Sequence, residues 1–111
     1  MITVRLVDGQ SPNEGRVEVF WNGAWWTICD DYWGIDEATV ICRELGYSRA
    51  VQALRYAEFG EGVVDTLLDN LRCQGDEETV FDCPHGGLGL HDCTHREDAG
   101  VRCGEPFFNM F

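Results

Sequence analysis

The chain has 111 residues, the length of a single domain, and sets 8 basic residues against 20 acidic ones for a formal net charge of −12. All of the basic residues are arginines. So acidic a surface repels nucleic acid and anionic membranes and attracts cations, metal ions or basic proteins, and no apolar run is long enough to span a bilayer.

Met1 runs straight into Ile-Thr-Val-Arg, which lacks signal-peptide features, so it reads as an artificial start or a cut into a longer precursor. Ile2, Val4 and Leu6 alternate and predict a first strand, closed by Asp8-Gly9 and Ser11-Pro12-Asn13. Val17, Val19 and Trp21 alternate up to Asn22-Gly23, and Trp26 and Ile28 resume beyond it. Asn-Gly between two such runs signals a hairpin, because both central turn residues need positive φ. From Asp36 to Leu45 the period changes: Ala38, Ile41, Cys42 and Leu45 fall on one helical face, with Asp36 as the N-terminal cap and Gly46 after the C-terminus. Val51 and Ala53 predict a short strand, and Phe59-Gly-Glu-Gly62 a loop. Thr66 to Cys73 predicts another strand, with Leu67, Leu71 and Cys73 on one side. Thr79-Val80-Phe81 makes one turn, Pro84 to Gly89 is irregular, and Ala99 to Cys103 is a last short strand. Residues 1–103 form the domain. The remainder, 104–111, is a tail or the start of a linker; its apolar Phe107, Phe108, Met110 and Phe111 could also dock on the domain or on a second copy.

Six cysteines, Cys29, Cys42, Cys73, Cys83, Cys93 and Cys103, are an even number without CxxC spacing, which favours three disulfides and an extracellular compartment. Fifteen pairings are open, and spacing alone does not choose among them. Cys73, Cys83, Cys93 and Cys103 stand ten apart, but the residues between them do not match, so there is no repeat.

Three segments carry a family resemblance. They are Trp25-Trp-Thr-Ile-Cys-Asp-Asp-Tyr-Trp33, Ala38-Thr-Val-Ile-Cys-Arg-Glu-Leu-Gly46 and Cys93-Thr-His-Arg-Glu-Asp-Ala-Gly-Val-Arg-Cys103. Together they resemble the scavenger receptor cysteine-rich domain in its six-cysteine, group A form, from about Val4 to Cys103. The resemblance implies an α+β fold, a curved antiparallel sheet cradling one helix at about 36–45. It also implies the pairing Cys29 with Cys93, Cys42 with Cys103 and Cys73 with Cys83. Trp26 stands where the family usually has Gly, Val63-Val64-Asp65 where it has Ser-Gly-Pro, and Leu88 where it has Trp; these departures bear on loop shape.

The adjacent carboxylates Asp30 and Asp31 follow a cysteine inside an apolar run. If Cys29 joins Cys93, then Asp30, Asp31, Asp69, Asp92 and Glu97 are gathered in one region, where like charges repel unless a cation sits among them. By resemblance, Asp30, Asp31 and Glu97 hold one calcium ion, and Asp31, Asp69 and Asp92 hold a second. Calcium suits such a cluster because it takes six to eight hard oxygen ligands in flexible geometry. The structural alternative is a set of solvated acids on an acidic protein. His91-Asp-Cys93-Thr-His95 could be read as a zinc site, but this needs Cys93 reduced. His95 is read as a structural hydrogen-bonding residue, and His85 and His91 as loop residues. Neither serine, Ser11 or Ser48, lies in a nucleophile elbow, and no phosphate loop or EF-hand order is present, so no enzyme is expected.

The resemblance therefore implies a non-enzymatic, extracellular module, secreted or part of an ectodomain, that binds polyanionic or repetitive surfaces with calcium. Such ligands include microbial polymers, modified lipoproteins, sulfated glycans and host proteins, with Arg96 and Arg102 as assisting residues. Two calcium ions bring the charge only from −12 to −8 (−12 + 4), so ligand anions are expected to be met locally, in the metal shell. The alternative is a protein–protein adhesion or regulatory module of a larger, multidomain protein, with calcium structural or absent.

Overall fold

The structure, a computed structural model, describes residues 3–106. Its strands are β1 (Val4–Val7), β2 (Glu14–Trp21), β3 (Ala24–Ile28), β4 (Ala50–Leu54), β5 (Thr66–Leu68) and β6 (Gly100–Cys103), with one helix, α1 (Ile35–Glu44). Single 3-10 turns span Val80–Asp82 and His95–Glu97. The sheet is curled, in the order β4-β6-β2-β3-β5, with β1 pairing on β2. The expected hairpin joins β2 to β3, with Asn22 at φ 51° and Gly23 at φ 80°.

Helix α1 closes the concave side, packing chiefly on β4 and β6. Ala38, Val40, Ile41 and Cys42 are its buried residues, together with Glu37. They meet Val17, Val19, Ile28, Trp33, Leu67 and Val101 in a single core. Its N-cap is Gly34, not Asp36, which sits in the first turn. The capping contact comes from Glu37, whose Oε1 accepts from the Gly34 amide at 3.0 Å while its Oε2 accepts from the Cys73 amide at 2.8 Å. Gly46, at φ 96°, follows the helix as expected.

The three disulfides are Cys29–Cys93, Cys42–Cys103 and Cys73–Cys83, with Cα–Cα distances of 6.2, 5.6 and 4.9 Å. The first two close loops of 64 and 61 residues and tie β3 and α1 to the C-terminal part of the chain. In the chain-entropy model each such loop adds about 4 kcal/mol, against about 2.7 kcal/mol for a ten-residue loop.

Two further expectations needed correction. The strand expected over Thr66 to Cys73 ends at Leu68, because Asn70 turns the chain at φ 58°, and Leu67 and Leu68 are both buried. That short strand runs parallel to β3, so the sheet is not wholly antiparallel. The short strand expected at Val51 and Ala53 is present as β4, with a register shift between Ala50 and Gln52, Val51 exposed, and Ala50 and Leu54 as the buried positions. Ile2 and the apolar residues of 107–111 lie outside the described residues. The family departures fall where they disturb little: Val63 and Leu88 are exposed, and Trp26 packs edge-on against Trp21 in the hairpin.

Candidate metal centre

The acidic residues are brought together by backbone pairing around the Cys29–Cys93 bridge. The Cys29 amide donates to the Leu68 carbonyl at 2.9 Å, which sets Asp69 beside the residues following Cys29. The Asp30 amide donates to the Glu97 carbonyl at 2.8 Å, which brings in the His95–Glu97 turn. That turn is capped by Thr94, and Glu97 Oε1 accepts from the Thr94 amide at 3.2 Å. The bridge itself then fixes Asp92 through its neighbour Cys93.

Two close groups result. One carboxylate oxygen from each of Asp31, Asp69 and Asp92 lies within 4.8 Å of the others. Asp31 and Glu97 form the second group with the two sulfurs of Cys29 and Cys93, also within 4.8 Å. Glu97 Oε2 stands 3.9 Å from Cys29 Sγ, and Asp31 Oδ2 stands 3.8 Å from Cys93 Sγ. These are contacts and not hydrogen bonds, because disulfide sulfurs carry no proton. Asp31 is common to both groups.

Asp30 is outside them. The chain turns directly after it, with the Trp33 amide donating to the Asp30 carbonyl at 2.9 Å, and the Asp30 carboxylate is engaged elsewhere than that of Asp31. It is buried, and its Oδ2 accepts from the Tyr56 amide at 2.8 Å. It still lines one open depression of about 560 Å³ with Asp31, Glu97, Arg55 and Tyr56.

Asp69 is the member of the cluster whose electrostatics are clearly perturbed. It is 1 % exposed, and burial, then the charges of Asp31 and Asp92, push its pKa above the usual carboxylate value, against the opposing effect of the Asn70 amide that donates to it at 2.8 Å. A buried carboxylate pressed against two others is a poor arrangement for the protein alone. It suits a hard divalent cation: calcium–oxygen distances of about 2.3–2.6 Å place ligand oxygens up to about 5 Å apart across the ion, and these three already lie within 4.8 Å.

The remaining assigned residues separate. Arg96 is exposed on the His95–Glu97 turn. Arg102 is held on β6 by Glu14, at 2.8 Å, and by the Gln52 side chain, away from the acidic groups. The zinc donors are otherwise engaged. Cys93 is in a disulfide, His91 Nδ1 accepts from the Cys93 amide at 3.1 Å, and His95 Nδ1 donates to the buried Asp98 at 3.0 Å. Sequence reasoning missed Arg55, which arrives from the end of β4 with its Nε donating to the Trp33 carbonyl at 2.8 Å. No local signal could have placed it there. Tyr32 and Asn70 were legible only as neighbours of Asp31 and Asp69.

The described residues thus define a disulfide-stapled α+β module whose distinctive surface is a cluster of carboxylates around a bridge. The scavenger receptor cysteine-rich domain model matches residues 7–104, and the chain belongs to that family. A scavenger receptor cysteine-rich domain superfamily protein of Patiria pectinifera is 52 % identical over 100 residues; these make up 90 % of this chain and 9 % of the relative. The chain therefore spans a small part of that protein's length. Among solved structures, the third such domain of murine neurotrypsin superposes with a TM-score of 0.83 at 52 % identity, covering 90 % of this chain and 94 % of that one. The domain of mouse MARCO, in a dimeric form, superposes with a TM-score of 0.78 at 49 % identity, covering 83 % and 87 %. The chain is a scavenger-receptor-type module of the kind found in extracellular proteins and ectodomains. Among the described residues no helix is long and apolar enough to cross a membrane.

Proposed function

We propose that this domain is a non-enzymatic ligand-binding module that works with calcium. Asp31 and Glu97, with Asp30 on the wall of the same depression, would hold one ion; Asp31, Asp69 and Asp92 would hold another. The observation that carries this reading is Asp69, a buried carboxylate within 4.8 Å of two others. A bound cation offsets that repulsion, and its unfilled positions accept a carboxylate, sulfate or phosphate oxygen of a polyanionic ligand. Local capture of this kind suits a chain of net charge −12, in which Arg5, Arg16 and Arg102 are already committed to internal ion pairs. The same charge supports a second reading, an acidic face that docks a basic protein with calcium structural or absent; ligand binding that survives chelation distinguishes it.

Calorimetric calcium titration of the oxidised protein tests the proposal. The parent is expected to bind with a Kd of about 0.1–1 mM, as extracellular modules do, and Asp31→Ala to weaken both sites. A parent that takes up no calcium, or a variant that binds as the parent does, refutes the assignment.

A further inference from the structure

A second cleft adjoins the acidic depression and has the opposite chemistry. It has a volume of about 430 Å³ and is lined by Tyr32, Asn70, Arg72, Pro84, His85 and Gly86. In a chain with 20 acidic residues, none of these six is a carboxylate. What they offer are donors. Arg72 makes no ion pair among the described residues, and its guanidinium lies 4.7 Å from the centre of the Tyr32 ring. His85 Nδ1 accepts from the Gly87 amide at 2.9 Å, so in the neutral imidazole the proton is on Nε2, a free donor. The Asn70 amide nitrogen is close to the Gly86 backbone, 3.5 Å from where a Cβ on Gly86 would stand.

The cleft is also preformed. The Arg72 amide donates to the Pro84 carbonyl at 3.0 Å and the Gly86 amide to the Asp69 carbonyl at 3.2 Å, while Cys73–Cys83 staples the two walls together. Tyr32 is the telling residue. The turn from Asp30 to Trp33, closed by the Trp33 amide on the Asp30 carbonyl at 2.9 Å, holds Tyr32 at φ 63°, a conformation that favours Gly or Asn. A bulky aromatic there is strained, and the residue is 61 % exposed, so core packing does not compensate. The strain presents an aromatic ledge outward, beside the donors.

We propose that this cleft is an anion subsite that takes one acidic sugar unit, a pyranose carrying a sulfate or carboxylate. Arg72 and His85 meet the acid group, Asn70 exchanges hydrogen bonds with hydroxyls, and the ring rests on Tyr32 and Pro84. The mixture of apolar ledge and hydroxyl-matching amide favours a sugar over an acidic peptide side chain. Because the cleft shares Tyr32 and Asn70 with the depression of Asp30, Asp31 and Glu97, its occupancy is coupled to the metal: the bare carboxylates repel the anion, and calcium removes that repulsion. Coupling is reciprocal, so the sugar tightens calcium binding. Only this coupling rests on the calcium reading; the cleft itself rests on its donors.

The test uses a disaccharide bearing one sulfate and one uronate, its neutral counterpart and an Asp-Glu peptide. Each is titrated into the oxidised chain in calcium and in chelator, with backbone amide shifts and calorimetry as readouts. The acidic disaccharide is expected to bind in calcium, with shifts concentrated at Tyr32, Asn70, Arg72 and Gly86. Arg72→Gln is expected to weaken it about tenfold, the loss of one charge-assisted contact, while the calcium Kd measured without sugar stays within about twofold and Arg72→Lys restores part of the affinity. Equal binding by Arg72→Gln, equal binding of the neutral disaccharide, or shifts elsewhere overturns the subsite; tighter binding of the peptide overturns the sugar assignment. Sugar binding that depends on Arg72 in a protein that takes up no calcium leaves the cleft standing and removes the calcium reading. Calcium uptake without sugar binding does the reverse, and absence of both removes both.

Discussion

Replacing Asp69 with asparagine isolates the repulsion on which the metal reading depends. Asparagine keeps the oxygen that accepts from the Asn70 amide at 2.8 Å and removes the charge facing Asp31 and Asp92. At the 4.8 Å that bounds these oxygens, each pair repels by about 3.5 kcal/mol at an effective dielectric of about 20. Asp31 is half-buried and Asp92 exposed, so solvent screening reduces the total to about 1–2 kcal/mol. In chelator Asp69→Asn should therefore melt about 4–8 °C above the parent, at about 4 °C per kcal/mol for a domain of this size. The sign with pH follows from the raised pKa of Asp69 in the folded state. Its penalty is present in full above that pKa and disappears as pH falls to the ordinary carboxylate value, so the advantage of the variant should be largest at neutral pH and shrink on acidification. Calcium should reverse the order: it stabilises the parent by mass action, about 2.7 kcal/mol at one hundred times Kd, and the variant by less. Melting curves in chelator and in saturating calcium read both effects. A variant that melts at or below the parent in chelator refutes the argument, because the Asp69 charge would then cost the fold nothing.

Two further contrasts are open to the same assay. Tyr32 and Trp33 are adjacent aromatics with opposite expected outcomes. Tyr32→Asn relieves a left-handed strain of about 1–2 kcal/mol and loses an exposed cation–π contact of about 0.5–1 kcal/mol, so Tm should stay level or rise by up to about 6 °C. Trp33→Ala removes a fully buried ring whose Nε1 donates to the Gly100 carbonyl at 2.9 Å, and should cost about 3–5 kcal/mol. Removing Cys73–Cys83 by paired alanine substitution should cost about 2.7 kcal/mol and leave a folded domain, whereas removing Cys29–Cys93 should cost about 4 kcal/mol and weaken calcium binding as well; equal losses from the two bridges, with calcium uptake unchanged in both, count against the bridge as the frame of the site.

The hairpin at Asn22-Gly23, helix α1 and its buried Cys42 face were legible in the sequence because each is set by local chemistry: a turn that needs positive φ, and an apolar period of 3.6. The cap was misread for a tertiary reason. Asp36 has the right residue type, but Glu37 already joins Gly34 to the distant Cys73 amide. The strand over 66–73 was overextended because Asn70, a residue that tolerates left-handed backbone, leaves the extended conformation at φ 58° between apolar positions that by themselves read as one strand. The gathering of acids around Cys29–Cys93 came from family resemblance, since six cysteines alone permit fifteen pairings. Only the folded chain separated Asp30 from Asp31, committed Arg102 to Glu14, brought Arg55 to the acidic depression, and put Arg72 over the Tyr32 ring. Those outcomes depend on pairings between segments far apart in the chain, and local propensity carries no information about which distant backbone group a side chain will meet.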